Sequence, residues 1–333
     1  MRAITIMQPG GPDVLAVVER QSPEPSRGEV RVRVRATAVN RADLLQRMGA
    51  YPAPRDAPPD VPGLEYAGEV DALGPGVERL AVGDRVFGLV GGGAYAEQLV
   101  THERAAAKIP DGMSFEDAAA IPEAFVTAHD ALAQAELRGG ETLVVHAVGS
   151  GVGTAAVQLG RAFGAYVVGT ARTQDKLDRA RALGMHDGLV PDSAGFADRL
   201  PAPPDVVLEL VGGDYLAEDL RAIATRGRIV LVGLLAGARA ELDLGLVLRK
   251  RVRMIGTVLR ARPLEDKLAA MRAFEAQVVP LLARGLVKPV VDCVMPLADA
   301  ARARAHGEQR RVRQDRAQCL NRTPSKRSMS TLV

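Results

Sequence analysis

The stretch HAVGSGVGTAAVQLGRAFGA, residues 146–165, holds the residues whose spacing has the clearest chemical consequence. Gly149, Gly151 and Gly153 fall at every second position. The apolar run ETLVVHAV precedes them, and an Ala/Val/Leu pattern at helical spacing follows. A strand, a tight glycine turn and a helix N-terminus make an anion site, because backbone N–H groups and the positive helix end stabilise a phosphate without a charged side chain. Glycine is needed where a Cβ would block a pyrophosphate or the strand–helix contact. The strict Gly-x-Gly-x-x-Gly spacing fails, since counting from Gly149 its last position is Thr154. The signal therefore comes from the strand before the turn and the helix after it.

The end of the next strand separates the two nicotinamide dinucleotides. A site for NAD places Asp or Glu there, on the ribose hydroxyls. This chain reads GTARTQDKL, with no carboxylate before Asp175. Arg172, Thr173 and Lys176 instead offer two cations and a hydroxyl, the donors a 2′-phosphate favours. The expected cofactor is NADPH.

The elements that must position these residues are of two kinds. Over the first 110 residues, RAITI, EVRVRVRATAV, YAGEVDALG and RVFGLV read as short strands separated by Gly- and Pro-containing turns. This predicts a small barrel-like β domain, with one short helix around NRADLLQRMG. From about residue 115 the period changes. SFEDAAAIPEAFVTAHDALAQA reads as a helix, with Ser114 and Asp117 at capping-box spacing. ETLVVHAV, YVVGTA, DGLV, DVVLELV, GRIVLVG and RVRMIGTV then read as strands, interleaved with helices at 152–164, TQDKLDRARALG and DYLAEDLRAIA. That alternation predicts a doubly wound parallel sheet. Helix is expected again over 263–284, and VKPVVDCVMPL as a strand, so the α/β unit is read as an insertion into the β domain.

Several stretches resemble the zinc-independent quinone oxidoreductases of the medium-chain dehydrogenase/reductase superfamily, and within them the p53-inducible quinone oxidoreductase-like branch. They are VNRADLLQRMGAYP (39–52), PGLEYAGEV (62–70), GDRVFGLVGGGAYAE (83–97), IPEAFVTAHDAL (121–132), HAVGSGVGTAAVQL (146–159), ELVGGDYL (209–216), GRIVLVG (227–233) and GTVLRAR (256–262). They follow one another in order from residue 39 to residue 262. The resemblance implies an α/β chain with a GroES-like β-barrel catalytic domain (1–122 with 260–301) and a Rossmann NADPH-binding domain (123–259), with the active site in the cleft between them. It implies that Ser150, Gly151, Val152 and Gly153 form the phosphate turn and that Lys176 meets the 2′-phosphate. Tyr51, Thr127, Gly233, Leu234, Leu235 and Thr257 fall at positions lining the cofactor, and Asn40 and Tyr51 at positions facing the nicotinamide pocket. Relatives often carry Asp in place of Glu209. Zinc-binding members of the superfamily use Cys at the position of Asn40 and His at that of Leu64; neither ligand type is present, and Glu65 alone cannot hold the metal. No zinc is expected.

The remaining chemistry is narrowed by what the sequence lacks. There is no Tyr-x-x-x-Lys, no Gly-Lys-Ser/Thr loop and no His-Glu-x-x-His. His102, His129, His146, His186 and His306 are dispersed, and His146 reads as a packed strand residue. A pocket without metal or an acid/base pair suits hydride transfer, where the cofactor carries the chemistry and the protein supplies position and exclusion of water. The expected activity is NADPH-dependent reduction of a quinone, with Asn40 and Tyr51 orienting the acceptor. Two alternatives stay open: reduction of an α,β-unsaturated carbonyl (an enone), and a non-catalytic NADPH-binding sensor or structural protein.

Composition bounds the setting. With 333 residues, 47% hydrophobic and 25% charged, the chain has room for two domains. Cys293 and Cys319 alone make no disulfide framework and fit a reducing cytoplasm. No run is long enough to span a membrane, and the absence of Trp argues against stacking on single-stranded nucleic acid. The basic balance is local: residues 302–333 carry nine Lys/Arg against two Asp/Glu, while the other 301 residues carry 34 against 38. The segment 302–333 is read as an atypical basic tail, solvated or produced by a reading-frame change near 302–310, in place of the strand that ends relatives. RVRMIGTV, as the last sheet strand, predicts a homodimer through that edge.

Overall fold

Alternation of valine and arginine builds the first sheet. The computed structural model describes residues 1–300 and the backbone of Thr331–Leu332; the tail expected over 302–333 lies, but for those two, outside the described residues. In chain order the first elements are β1 (Arg2–Ile6), β2 (Leu15–Glu19), β3 (Glu29–Thr37), α1 (Arg41–Arg47), β4 (Glu65–Leu73), β5 (Arg85–Leu89), β6 (Gln98–His102), β7 (Ala106–Lys108) and α2 (Phe115–Ala119). In β3, Val30, Val32 and Val34 are buried. The arginines between them face outward, where Arg31 pairs with Asp71 at 2.7 Å and Arg35 with Glu69 at 2.7 Å on neighbouring β4. A period of two thus places one face in the core and the other in an ion-pair ladder. β3 lies between antiparallel β4 and β6, and the sheet continues through β5 to β7. Ser114 caps α2 by accepting from the Asp117 N–H at 3.0 Å, as its spacing predicts.

The second group comprises α3 (Thr127–Gln134), β8 (Thr142–Val145), α4 (Gly151–Ala162), β9 (Tyr166–Thr170), α5 (Gln174–Arg181), β10 (Asp187–Leu189), β11 (Val206–Glu209), α6 (Tyr215–Ala222), β12 (Arg228–Leu231), α7 (Leu244–Lys250) and β13 (Arg253–Gly256). The six strands form one sheet in the order β10-β9-β8-β11-β12-β13, every pair parallel. The order in which strands are added reverses between β8 and β11, the switch point where such sheets open a crevice at their carboxyl ends. Val144, Val168, Val207 and Ile229 fill its core, as expected of strands covered on both faces. β13 is its terminal strand.

The last elements are α8 (Leu264–Gln277), α9 (Val279–Ala283), β14 (Met295–Pro296) and β15 (Thr331–Leu332). The chain divides into two units: Met1–Glu123 with Arg260–Ala276 and Pro289–Val333, and Ala124–Leu259 with Gln277–Lys288. The segment Gln277–Lys288 therefore goes with the parallel sheet, whereas the sequence reading kept 260–301 whole. Three other readings are corrected. Pro122 breaks the long helix expected from residue 114, leaving α2, a π-type turn over Pro122–Val126, and α3. VKPVVDCVMPL contributes only the two residues of β14. α7 was not expected; Asp243 caps it by accepting from the Gly245 and Leu246 N–H groups. No helix among the described residues is long and apolar enough to cross a membrane.

Candidate functional site

Two groups of residues carry chemistry, one in each unit. In the parallel-sheet unit, β8 leads through Ala147, with φ of +50°, into the glycine turn. Ser150 is the N-cap of α4, and its Oγ accepts from the Gly153 N–H at 3.0 Å. Helix geometry leaves the N–H groups of Gly151 and Val152 without intrahelical partners, and Gly151 is exposed. A Cβ on Gly153 would strike the Ala147 carbonyl oxygen and come within 2.8 Å of Val148 Cα. Gly153 is thus the residue that lets helix and strand approach. A Cβ on Gly149 would lie 2.8 Å from Lys176 Cδ, so the lysine stem crosses directly over the turn. Lys176 lies in the first turn of α5, Thr173 is that helix's N-cap, and Arg172 is exposed beside it. The residues fit the pyrophosphate and 2′-phosphate of a dinucleotide: a helix N-terminus packed close to its strand at Gly153 and a lysine across the turn.

Of the other cofactor positions read from the sequence, Gly233, Leu234, Leu235 and Thr257 follow the carboxyl ends of β12 and β13, while Tyr51 lies in the β-rich unit. Gly233 follows β12, where a Cβ would meet the Leu210 carbonyl oxygen at 2.7 Å. Leu234 and Leu235 after it are 54% and 42% exposed, which is unusual for leucine and leaves both able to cover a ligand. Thr257 follows β13; its Oγ1 accepts from Gln134 Nε2 at 2.9 Å and donates to Asp130 Oδ2 at 3.2 Å. Thr127 opens α3, the helix that carries Asp130 and Gln134.

Behind the turn lies a network that the sequence reading missed. His146 is fully buried, but it is not only a packing residue. Its Nδ1 meets Thr170 Oγ1 at 2.8 Å and its Nε2 meets Asp219 Oδ1 at 2.7 Å, with Phe196 and Tyr215 against its ring. Glu209 lies beside Asp219, and its Oε1 accepts from the Val211 and Gly212 N–H groups. Burial pushes both carboxyls upward and holds the imidazole down to about 4. These three are the one set of metal-type donors that converge among the described residues, within 4.8 Å. His146 joins Asp219 to the end of β9 and Glu209 holds the turn after β11, while Glu209 Oε2 and Asp219 Oδ2 are buried without a hydrogen-bond partner.

In the β-rich unit, Asn40 is the N-cap of α1, with its N–H donating to Asp43 Oδ2 at 2.9 Å. Its Nδ2 donates to Glu65 Oε1 at 2.6 Å, and Glu65 Oε2 accepts from the Glu123 N–H at 2.8 Å. Asp43 also accepts from the Gly63 N–H at 2.9 Å and from the Tyr95 hydroxyl at 3.3 Å. Gly63 has φ of +105°, and a Cβ there would overlap Tyr95, so only glycine places this N–H on Asp43. The Arg260 guanidinium lies 5.0 Å from the centre of the Tyr51 ring. It donates to the carbonyls of Gly91 at 2.8 Å and Tyr51 at 3.4 Å and to Gln46 Oε1 at 2.5 Å.

The electrostatics of this pocket are unusual. Burial, with the charges of Glu123 and Asp43, raises the Glu65 carboxyl to about 8, although the Asn40 and Glu123 N–H groups pull the other way. Burial and Asp43 raise Glu123 to about 7, with Arg260 opposing. Burial also pushes the Tyr51 phenol up and the Arg260 guanidinium down. Asn40 and Tyr51 were named from sequence; Asp43, Glu123 and Arg260 were not, and Glu65 was considered only as an inadequate metal ligand. Asp43, three residues after an N-cap, carried a readable signal. Glu123 and Arg260 carried none, because the fold alone brings them to Asn40. The donors here are carboxyls and an amide, with buried Leu64 beside them, and they do not converge as a metal requires; this set does not fit zinc.

Residues 26–111 match the alcohol dehydrogenase GroES-like domain family and residues 151–276 the zinc-binding dehydrogenase family. A quinone oxidoreductase of Pseudomonas aeruginosa is 36% identical over 314 residues, covering 91% of this chain and 94% of the relative. The quinone oxidoreductase of Rattus norvegicus is 31% identical over 312 residues, covering 91% and 92%. A mycobacterial protein solved in complex with NADPH is 29% identical with a TM-score of 0.81, covering 93% of this chain and 97% of that one. The enoyl reductase CurK superposes with a TM-score of 0.81 at 25% identity, again covering 93% and 97%.

Proposed function

The chain belongs to the quinone oxidoreductase family of the medium-chain dehydrogenase/reductase superfamily, and from that premise we propose that it is an NADPH-dependent, metal-independent quinone reductase. The observation that carries the cofactor reading is the lay of Lys176 across Gly149. It brings an ammonium to the phosphate turn on a strand end that lacks the carboxylate an NAD site uses. The bound nicotinamide would supply a hydride. The chain's own residues do the rest: Ser150 to Gly153 receive the pyrophosphate, Arg172, Thr173 and Lys176 the 2′-phosphate, and Thr127, Gly233, Leu234, Leu235 and Thr257 line the remainder. Asn40 and Tyr51 orient the acceptor, and the Arg260 stack fixes the Tyr51 ring.

The test is the loss of NADPH absorbance with purified protein and a panel of small quinones, NADH being run in parallel. Turnover with NADPH and little with NADH is expected; equal rates would remove the Lys176 argument. Tyr51→Ala should raise the acceptor KM, and an unchanged KM would remove Tyr51 from the site. The likeness to an enoyl reductase supports a second reading, reduction of an enone by the same hydride geometry; enone turnover without quinone turnover would select it. NADPH binding with no turnover would select a sensor. We also infer a homodimer through the open edge of β13, with sedimentation of a 35.2 kDa monomer as the contrary result.

A further inference from the structure

Reduction of a quinone or enone by hydride consumes a proton as well. The acceptor takes a hydride at one atom and negative charge collects on its oxygen; an O–H bond then forms there, kept in a hydroquinone and, for an enone, passed on as the enol becomes the saturated carbonyl. We propose that Glu123 supplies this proton: its carboxyl O–H bond breaks as the acceptor's O–H bond forms. The carboxylate left behind faces Arg260 until solvent returns a proton. The sum is dihydronicotinamide plus acceptor plus one proton, giving oxidised nicotinamide and reduced acceptor. The inference rests on the reductase reading above and adds a residue to that site.

Three features of the pocket single out Glu123. The first is place. Glu123 sits in the π-type turn Pro122–Val126, a backbone irregularity found often at functional sites. Its N–H is bonded to Glu65, whose other oxygen holds Asn40, so one side chain separates it from the residue that orients the acceptor. The second is charge. The groups facing it are Glu65 from β4, Asp43 from α1, Tyr51 after α1, and Arg260. Among the described residues, three carboxyls gather near one guanidinium and burial raises two of them, so protons stay. The third is access. Asp43 is fully buried and accepts three hydrogen bonds, which suits a carboxylate; Glu65 is 2% exposed, with both oxygens engaged. Glu123 is only partly covered and can exchange a proton with substrate and solvent. Its position near neutrality, about 7, is where a general acid is most effective.

The experiment compares wild type, Glu123→Gln and Glu123→Asp. For wild type, kcat/KM for the acceptor should fall as pH rises through about 7, where the acid loses its proton. Glu123→Gln should lose that inflection and fall roughly 100-fold at acidic pH, with NADPH affinity unchanged by nicotinamide fluorescence. Glu123→Asp should restore part of the rate and the inflection. An infrared titration of the protein alone adds a readout independent of turnover: one buried carboxyl C=O band should disappear through neutrality in wild type and be missing in Glu123→Gln. A Glu123→Gln enzyme that keeps the inflection and most of its rate would overturn the role of Glu123 while leaving the reductase reading intact. Absence of turnover in wild type with either acceptor class would overturn both.

Discussion

At the carboxyl edge of the parallel sheet the charge is positive: helix N–H groups and the Lys176 stem lie at a turn where Gly153 leaves no room for a side chain. Around Asn40 the polarity is opposite, with Asp43, Glu65 and Glu123 gathered near the Arg260 guanidinium. The first region is built of backbone and pre-forms an anion site at little cost in burial, because its donors are partners that any helix start must leave open. The second is built of buried side chains, and their mutual repulsion keeps protons where a reduction would need one. On the function proposed above, the first region would bind and the second would do the acid–base work.

The comparison breaks most easily at Gly153. Because a Cβ there meets the Ala147 carbonyl and the Val148 backbone rather than a flexible side chain, Gly153→Val must shift α4 off the strand. Overpacking of this kind costs about 1–3 kcal/mol, so NADPH should bind roughly 10- to 100-fold more weakly by fluorescence titration. The carboxyl titrations of the acid pocket should not change. A matching change in both would mean that the two regions are not separable.

A smaller effect, confined to one cofactor, is expected at Lys176. Removing the ammonium by Lys176→Met takes away a charge-assisted contact of about 1.5–3 kcal/mol, so the Kd for NADPH should rise about tenfold or more while that for NADH stays put. Calorimetric titration of both cofactors checks this, and equal weakening of the two would assign Lys176 to the pyrophosphate instead. Arg260 is the counterpart in the acid pocket. Arg260→Lys keeps the charge but loses the stack on Tyr51 and the planar fork that holds Gly91, Gln46 and Tyr51. Steady-state kinetics should show an acceptor KM about threefold to tenfold higher with unchanged NADPH binding.

How much of this was legible follows from the same contrast. The glycine turn, its strand and its helix are contiguous, so spacing in 142–162 reports a local structure directly, and Lys176 follows from the next strand end. The β3 ladder was equally open, since alternation of valine and arginine has one reading. The acid pocket joins residues 40, 43, 51, 65, 123 and 260, and no window of sequence contains more than two or three of them. Pro122 gave notice of a helix break, but nothing local said that the turn it makes would hold Glu123 against Glu65. His146 was visible as a buried strand residue; its partners Glu209 and Asp219 lie on other elements, and only strand order brings them to it.

That last network allows the mildest test, one of stability rather than binding. Glu209 and Asp219 are both shifted upward in the folded protein, so they hold protons that the unfolded chain would release. Their contribution is complete below the ordinary carboxylate range and is lost as pH rises towards neutrality. His146 acts with the opposite sign: held down to about 4, it contributes above its unfolded value and loses that contribution as pH falls through about 4. Two carboxyls against one imidazole leave a net decline in stability as pH rises from 5 to 8. Glu209→Gln keeps an oxygen for the Val211 and Gly212 N–H groups and gives Asp219 an N–H donor, but it cannot ionise. The variant should therefore lose less stability over that range, by about 1 kcal/mol or roughly 2–4 °C in Tm. Calorimetric scans of both proteins at pH 5 and pH 8 decide it: parallel declines would mean that the pair behind the glycine turn shares no proton, and that only the carboxyls around Asn40 store them.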